Sequence, residues 1–409
     1  LSRDTALAHL PIAKILRAVA DAAERWSDAD FPPRVRATEE VVARTGYSMP
    51  VVEYALDRLF FSITESALRT TIDAELGSIE ALDGFATRAA RPEAWARPVG
   101  RVAVISSRTT IGVGIVPAIF ALCAKCDVVV KDREDHLVRA FFSTLAEERE
   151  EFSAAARAEL WTHTETARSL GEFDAVVAFG DDESLKAIRD ASNPQARIVA
   201  YGSRASAGYI TREALDDAAS LEQLLAGAAR DTVLYESEGC LSLHMLFIEN
   251  GDITPVQVAE RLAKAMERAS IELPVGVRDV SRAAQFSMAR NMAAFRAATS
   301  HGAVFSDDAG TYALTLDPPA DEPPLFLPRT LAIRSVGKPA EALAYLRRHE
   351  IPLEGFAVSD SRSDVVKMAV DAGAARLVPF GELQRPPIEG EHGGRPRIGE
   401  FVRWITRTE

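Results

Sequence analysis

The amino-acid sequence predicts an α/β protein built from two successive α/β units. Short apolar strands alternate with helices between residues 101 and 201, which indicates a parallel sheet covered on both faces. The same alternation begins again after residue 231. The length of 409 residues also exceeds the ~250–300 residues at which one hydrophobic core stops growing.

The residues before the first predicted sheet are expected to be mostly helical. Residues 12–26 carry apolar side chains at helical spacing, and residues 51–76 continue without proline, which predicts one long helix. Gly84, Pro92 and Pro98 then interrupt the helical pattern. We therefore expect residues 77–98 to form a connecting arm.

Residues 101–201 are predicted to form the first α/β unit. Its predicted strands are 101–106, 127–131, 174–179 and 197–201, and its predicted helices are 111–124, one from about 136, and 182–191. Nucleotide cofactors bind at the carboxyl ends of such strands. The strict G-x-G-x-x-G fingerprint fails, because Gly112 and Gly114 are followed by Pro117 in the place of the third glycine. The predicted helix N-terminus at 109–112 can still bind a diphosphate through free backbone N–H groups.

Lys131 ends the second predicted strand. From there it can reach a ribose or a 2′-phosphate, or it can lie in solvent, and the sequence supports the two interpretations equally. Arg133 favours the 2′-phosphate of NADPH, through charge-assisted hydrogen bonds. Glu134 instead stands where a carboxylate can hold the 2′-hydroxyl of NAD. The choice of cofactor stays open at this point.

The second α/β unit is predicted after residue 231. Its predicted strands are 243–248, 303–305, 312–316, 330–336 and 355–358, and its predicted helices are 254–269, 280–299, 339–348 and 363–372. The strands 303–305 and 312–316 are expected to pair with each other. This pattern again predicts a sheet with helices packed on it.

Cys240 lies in residues 236–242 (ESEGCLS), just before a predicted strand. A thiol in such a turn can act as a nucleophile, and an acyl or aldehyde group bound through sulfur is activated for hydride exchange with a nicotinamide. The alternative is a buried cysteine that acts as a small apolar side chain. His244 can tune the thiol, although strand alternation favours a structural role. Glu236 and Glu238 can transfer protons or can simply be solvated.

Composition excludes several kinds of partner and site. The net charge of −13 would repel a phosphate backbone, so nucleic acid is not the expected partner. No run reaches the ~18 apolar residues of a membrane span, three cysteines do not make a disulfide framework, and no signal-peptide pattern is found, so we expect a cytoplasmic protein. Cys123 and Cys126 form a CxxC pair, but no further ligands follow at matching spacing. Packing is therefore favoured over a metal or redox role.

The order of these segments resembles the aldehyde dehydrogenase superfamily. The resemblance rests on the approach to the first sheet, the helix and strand ending in a lysine, two glycine turns, and a cysteine followed by a strand. These are residues 98–106, 118–131, 177–180, 201–203, and 240 with 246–248. Within the superfamily, the short chain and residues 393–399 (GGRPRIG) and 401–404 (FVRW) most resemble the acyl-CoA reductases typified by the long-chain fatty acyl reductase of bacterial bioluminescence.

The resemblance implies the NADPH-dependent reduction of an acyl-CoA, of the fatty acyl class, to an aldehyde, with NAD as the alternative cofactor. It implies a Rossmann-type cofactor domain with N-terminal helices over 1–230, a catalytic cysteine domain over 231–383 and a tail over 384–409. It further implies a homo-oligomer joined through the 77–98 arm, and acyl-carrier or acyl-transfer proteins as partners. The implied catalytic residues are Cys240 and Thr109, and the implied cofactor contacts are Ser106, Lys131, Arg133, Glu134, Phe179, Gly180, Tyr201 and Gly202. No metal is expected.

The sequence departs from the hydrolytic aldehyde dehydrogenases at two carboxylates. Ala200 matches their general-base glutamate, and Pro324 matches the glutamate that binds the nicotinamide ribose. Hydrolysis of an enzyme-bound thioester needs an activated water, so the missing base argues against an acid product. The reduction of an acyl phosphate, as in glutamyl-phosphate reductase, and a non-catalytic scaffold stay open. In the tail, His392 and Arg395 can meet CoA phosphates or a partner subunit, or can be exposed to solvent.

Overall fold

Two compact units make up the chain. The computed structural model describes residues 4–88, 91–107, 110–131, 136–299, 302–319 and 321–408. The first unit consists of Leu1–Thr45, Val52–Ser203 and Pro387–Glu409, and the second of Gly46–Val51 and Arg204–Pro386. The units therefore divide near residue 203 rather than at the predicted boundary of 230, and the C-terminal tail belongs to the first unit.

Helices and strands account for most of the described residues. The helices are α1 (Ile12–Ser27), α2 (Pro32–Thr45), α3 (Met49–Ser62), α4 (Glu65–Leu76), α5 (Ile115–Cys123), α6 (Leu137–Glu148), α7 (Phe152–Ala155), α8 (His163–Ser169), α9 (Asp182–Ala191), α10 (Arg212–Leu215), α11 (Ala218–Val233), α12 (Pro255–Glu272), α13 (Val280–Thr299), α14 (Pro339–Arg348) and α15 (Ser363–Asp371). The strands are β1 (Ala86–Arg88), β2 (Arg91–Pro98), β3 (Arg101–Ile105), β4 (Asp127–Lys131), β5 (Ala156–Glu159), β6 (Ala175–Phe179), β7 (Arg197–Tyr201), β8 (Ala205–Ile210), β9 (Leu243–Glu249), β10 (Ala303–Phe305), β11 (Ala313–Leu316), β12 (Thr330–Val336), β13 (Leu353–Val358), β14 (Arg376–Pro379) and β15 (Val402–Thr406).

A parallel sheet forms the core of the first unit. Its strand order is β5-β4-β3-β6-β7. The β-branched residues that predict β3 and β4 are buried, because helices cover both faces of a parallel sheet. Ile105 pairs with Lys131, and Phe179 pairs with Tyr201. The register therefore aligns the carboxyl ends of β3, β4, β6 and β7 along one edge.

The prediction of one long helix over residues 51–76 is wrong. The structure has two helices there, α3 and α4, which are separated at Ile63 and Thr64. The Thr64 hydroxyl accepts a hydrogen bond from the Ala67 N–H at 3.1 Å and so caps α4. Gly77 ends α4 with a left-handed φ of 79°.

A larger, mostly parallel sheet forms the core of the second unit. Its strand order is β10-β11-β12-β9-β8-β13-β14. The strands β10 and β11 pair with each other as the sequence predicted, and their direction is antiparallel. Every residue of β9 is buried. The strands β8, β9 and β13 are parallel neighbours, so their amino ends lie at one edge of the sheet.

The predicted arm and the tail meet in a small antiparallel sheet of the first unit, with the order β1-β2-β15. The tail is also bound to α4, because the Glu75 carboxylate accepts hydrogen bonds from the N–H groups of Arg397, Ile398 and Gly399. The tail is therefore packed rather than solvated. In the part of the chain that the structure describes, no helix has both the length and the apolar character needed to cross a membrane.

Candidate active site

The turn before Cys240 has an unusual backbone. Tyr235, Glu236 and Ser237 have φ values of 54°, 52° and 58°, which lie in the left-handed region. This conformation costs a residue with a side chain roughly 1–2 kcal/mol. Such a run persists only where its surroundings hold it in place, and strain of this kind is concentrated at functional sites. The turn delivers Cys240 to the amino end of β9.

Ser206 ties the cysteine turn to the neighbouring strands. Its fully buried hydroxyl donates to the carbonyl oxygen of Cys240 at 2.9 Å and accepts from the N–H of Gly355 at 3.0 Å. A Cβ on Gly355 would lie 2.7 Å from the Leu383 side chain and 3.0 Å from the Ser206 hydroxyl, so a larger residue there would have to displace Leu383. The Ser206 hydroxyl therefore links β8, β13 and the turn that carries the thiol.

Cys240 is partly exposed as a residue, and its surroundings raise the pKa of its thiol. Burial and, to a smaller extent, the negative charge of Glu354 together raise its pKa to about 12, against the opposing effect of Arg204. Glu354 is itself buried and pairs with Arg204 at 3.2 Å. Burial also raises the pKa of the Glu354 carboxyl. An acid with a raised pKa and a thiol thus share one edge of the sheet.

The other titratable residues near Cys240 are held by protein contacts. The His244 ring is buried, its Nε2 lies 2.8 Å from the Ser237 carbonyl oxygen, and burial lowers its pKa, which fits the structural role favoured by the sequence. Glu236 is buried between two arginines rather than solvated. Glu238 pairs with Arg282, and burial raises its pKa.

Lys131 and Ser106 meet at the carboxyl edge of the first sheet. The backbone N–H and the hydroxyl of Ser106 both donate to the Lys131 carbonyl oxygen, at 3.2 and 3.0 Å. The Lys131 ammonium is buried and donates to the Thr166 hydroxyl on α8 at 2.6 Å. Lys131 therefore does not extend into solvent. Its ammonium and the Thr166 hydroxyl are groups that suit ribose or phosphate oxygens.

A stack of rings covers the carboxyl ends of β6 and β7. The Phe179 and Tyr201 rings stack at 4.9 Å between centroids, and the His392 ring stacks on Tyr201 at 4.5 Å. This stack lies one residue after Ala200, which the sequence matched to the missing general base. The tail thus supplies a histidine to the edge of the first sheet, a position that the sequence did not predict.

Asp182 brings a negative charge to the same edge. Its carboxylate lies 3.3 Å from where a Cβ on Gly202 would be, and Gly180 directly precedes Asp181, the N-cap of α9. Asp181 accepts from the Ser184 N–H at 2.8 Å. A Cβ on Gly180 would lie 3.2 Å from that of Ser184, so both glycines allow close packing at this edge. The Asp182 carboxylate opposes a diphosphate placed at this helix N-terminus. Sequence analysis did not identify this charge.

A family model described as Acyl-CoA reductase (LuxC) matches residues 7–404. The chain belongs to this family. The long-chain acyl-protein thioester reductase of Aliivibrio fischeri is 21% identical over 97% of this chain and 82% of its own. The enzyme of the same name from Vibrio harveyi is 20% identical over 98% of this chain and 83% of its own. The resemblance found in the sequence is confirmed.

Solved structures of aldehyde dehydrogenases share the fold of this LuxC-family chain. An NAD-dependent benzaldehyde dehydrogenase from Corynebacterium glutamicum has a TM-score of 0.69 at 13% identity, over 98% of this chain and 87% of its own. The glyceraldehyde-3-phosphate dehydrogenase GapN of Methanocaldococcus jannaschii, complexed with NADP, has a TM-score of 0.70 at 10% identity, over 98% and 90% of the two chains. The predicted aldehyde dehydrogenase-like α/β fold is confirmed.

Three predicted site residues of the LuxC-family chain, Thr109, Arg133 and Glu134, lie outside the described residues. The helix predicted from residue 111 begins only at Ile115. Gly114 directly before it would place a Cβ 3.3 Å from that of Ser106, so this glycine allows close packing of helix on sheet.

The CxxC pair of the LuxC-family chain lies in the protein interior. Cys123 and Cys126 are fully buried, and burial raises both thiol pKa values to about 12. The described residues contain no group of three or more His, Cys, Asp or Glu side chains that could hold a metal ion.

Proposed function

We propose that the protein reduces a long-chain acyl thioester to the aldehyde, with NADPH as hydride donor and Cys240 as the acyl carrier. The observation that carries the proposal is the placement of Cys240, a partly exposed residue whose carbonyl oxygen Ser206 binds at the amino end of β9 within an aldehyde dehydrogenase fold. Family membership and the names of the relatives support the acyl thioester as substrate class. Ala200 in place of a general base supports aldehyde rather than acid as the product.

The first step is acyl transfer to the protein. The Cys240 sulfur attacks the thioester carbon, a new S–acyl bond forms, and the donor's own C–S bond breaks. The backbone N–H of Cys240 stabilises the oxyanion of this step. Glu354 accepts the thiol proton and passes it to the departing thiolate, which balances the step. This role for Glu354 is supported by its raised pKa and by the effect of its charge on the thiol pKa.

The second step releases the aldehyde. When bound, the nicotinamide supplies the hydride that converts the S-acyl group to a thiohemiacetal anion. The anion collapses to aldehyde and the Cys240 thiolate, so no water is needed. Lys131 and Thr166 would bind the ribose or its phosphate, and Phe179, Gly180, Tyr201 and Gly202 would line the rest of the cofactor site. The buried Lys131 ammonium supports NADPH over NAD.

The acyl donor is either acyl-CoA or an acylated protein. The family description names the former, and the relatives' names specify the latter. Both donors are thioesters, so one nucleophile serves both. The two donors differ in their leaving group, which is the thiolate of CoA or of the carrier protein. Turnover measured with each donor distinguishes them.

The test is turnover with defined donors. The protein is mixed with acyl-CoAs of graded length, an acylated carrier protein or an acyl phosphate, together with NADPH or NADH, and nicotinamide absorbance and aldehyde are followed. We expect long-chain thioesters with NADPH to give the highest kcat/KM. Cys240→Ala should abolish turnover, whereas the matched control Cys123→Ala should keep it, because Cys123 is fully buried. Preference for the acyl phosphate, or turnover by Cys240→Ala, would contradict the proposal.

A further inference from the structure

A buried arginine holds the strained turn before Cys240. Arg329 is fully buried, and its guanidinium binds the Glu236 carboxylate, with Nε at 2.8 Å and Nη2 at 2.6 Å from Oε1. The Arg329 backbone N–H also donates to the Glu236 carbonyl oxygen at 3.3 Å. Both the side chain and the backbone of Glu236 are therefore bound by one residue. Glu236 is the middle residue of the left-handed run.

The same arginine binds the end of α12. Its Nη2 donates to the carbonyl oxygens of Leu273 and Pro274 at 2.7 and 3.1 Å, and its Nη1 donates to the Ser270 hydroxyl at 3.2 Å. A guanidinium has donors in a fixed planar arrangement. Through Arg329, the turn that contains Glu236 is therefore held at a fixed position relative to the C-terminal end of α12.

A second arginine completes the cluster. Arg278 donates to the other oxygen of Glu236 at 3.2 Å and to the carbonyl oxygens of Gly310 and Thr311, each at 2.9 Å. The Glu236 carboxylate is thus shared by two guanidinium groups. Removing a charge from such a buried cluster is destabilising, so a purely structural role would appear as a loss of stability.

We propose that Arg329, acting through Glu236, is a positioning residue that aims the thiol and the backbone N–H of Cys240. The inference rests on the proposed nucleophile role of Cys240. The three left-handed residues favour another conformation by themselves, and the last of them, Ser237, lies three residues before Cys240. Their φ and ψ angles set the direction of the chain that enters the cysteine. Without the Arg329–Glu236 contact, the run can relax and reorient the nucleophile.

The matched control lies at the opposite edge of the same sheet. Glu249 ends β9 and is also a buried carboxylate bound by an arginine, Arg362, and by the Tyr209 hydroxyl at 2.7 Å. Glu249→Gln removes a comparable charge pair from the same unit. It leaves the contacts of the Cys240 turn intact.

The experiment compares Glu236→Gln, Arg329→Lys and Arg329→Met with Glu249→Gln. One readout is the pH profile of Cys240 alkylation by iodoacetamide in the folded protein, which needs no turnover. The second is kcat and KM with an acyl-CoA and NADPH. The third is the urea midpoint, which reports stability. Alkylation is specific for Cys240 in the folded state, because the other two cysteines are fully buried.

We expect Glu236→Gln and Arg329→Met to lower kcat about 10- to 100-fold with KM changed less than about threefold, because misplacing a reacting group acts on kcat. Both should shift the alkylation profile, and Arg329→Lys should restore part of kcat. Glu249→Gln should lower the urea midpoint only. Equal kcat and equal alkylation profiles for Glu236→Gln and Glu249→Gln would overturn the inference. If wild-type protein lacks acyl turnover, the proposed function fails, while the alkylation profile still decides the positioning role.

Discussion

The hydroxyl of Ser206 lies 2.9 Å from the carbonyl oxygen of Cys240 and donates a hydrogen bond to it. The two residues are 34 positions apart in the chain and meet at the amino edge of the second sheet. Because that hydroxyl also accepts from the Gly355 N–H, one side chain sets the distance between the nucleophile turn and two strands.

Ser206→Ala should loosen the cysteine turn. The substitution leaves the Cys240 carbonyl and the Gly355 N–H without their partner, which costs about 1–3 kcal/mol for each buried group left unsatisfied. We expect a lower urea midpoint and a kcat reduced about tenfold. Ser335→Ala removes another serine hydroxyl of the same sheet, which donates to Asp317 at 2.6 Å, and should leave kcat unchanged. An unaltered kcat in Ser206→Ala would refute the role of the Ser206 hydroxyl in positioning Cys240.

Glu354→Gln should separate two effects of this carboxylate. Its charge raises the pKa of the Cys240 thiol, so the substitution should lower that pKa below about 12 and speed alkylation at pH 9. If Glu354 also accepts the thiol proton, kcat at neutral pH should fall even though the thiol is more acidic. Glu382→Gln, which alters a carboxylate paired with Arg385, serves as the control. Faster alkylation together with faster turnover would exclude Glu354 as proton acceptor.

Asp231 should make the second unit less stable at alkaline pH. Burial raises its pKa to about 7, and Oδ1 has no hydrogen-bond partner in the described part of the protein. The folded-state pKa lies above the unfolded value, so the folded state binds the proton more tightly. The penalty is therefore absent below the ordinary pKa of 3.8, grows as the pH rises above it and is complete above about 7.

Asp231→Asn should remove that penalty. We expect it to raise the free energy of unfolding by about 1–3 kcal/mol more at pH 8.5 than at pH 5. Urea unfolding at both pH values measures the difference. The exposed Asp308→Asn should not change the pH dependence. A gain for Asp231→Asn that is equal at both pH values would contradict the assignment.

Asp182→Asn should strengthen the binding of NADPH. If the cofactor's diphosphate lies at the N-terminus of α9, this carboxylate repels it, and its removal should lower Kd about two- to fivefold at low salt. The effect should shrink as the ionic strength rises. Asp190→Asn, near the other end of α9 and paired with Lys186, is the control. Weaker binding by Asp182→Asn would place the carboxylate on a hydroxyl or amide of the cofactor instead.

The sequence predicted the strands 127–131 and 197–201 to the residue, because the β-branched residues inside both segments favour extended backbone. It missed β8, whose small residues Ala205, Ala207 and Gly208 carry no such pattern. Gly208 is needed there because a Cβ would lie 2.6 Å from the Phe380 ring. That constraint comes from a residue far along the chain, and local reasoning could not detect it.

The residues of the candidate site also divide into those that the sequence reveals and those that only the fold reveals. Cys240 precedes a recognisable strand and Lys131 ends another, so both residues stand out in the sequence. Ser206 and Glu354 do not, because only the parallel pairing of β8, β9 and β13 brings them to the nucleophile. Glu354 did leave a trace, as a lone carboxylate inside the apolar strand LEGFAV. A charge at such a position costs stability unless it is paired or used.

The most direct test of the central claim is a single-turnover measurement on Cys240. The protein is incubated with a long-chain acyl-CoA alone, and the mass of the peptide that contains Cys240 is measured before and after NADPH is added. We predict that this peptide gains one acyl group, and that NADPH releases the group as aldehyde at a rate no slower than kcat. An unmodified Cys240 peptide, in protein that nevertheless converts acyl-CoA to aldehyde, would contradict the account.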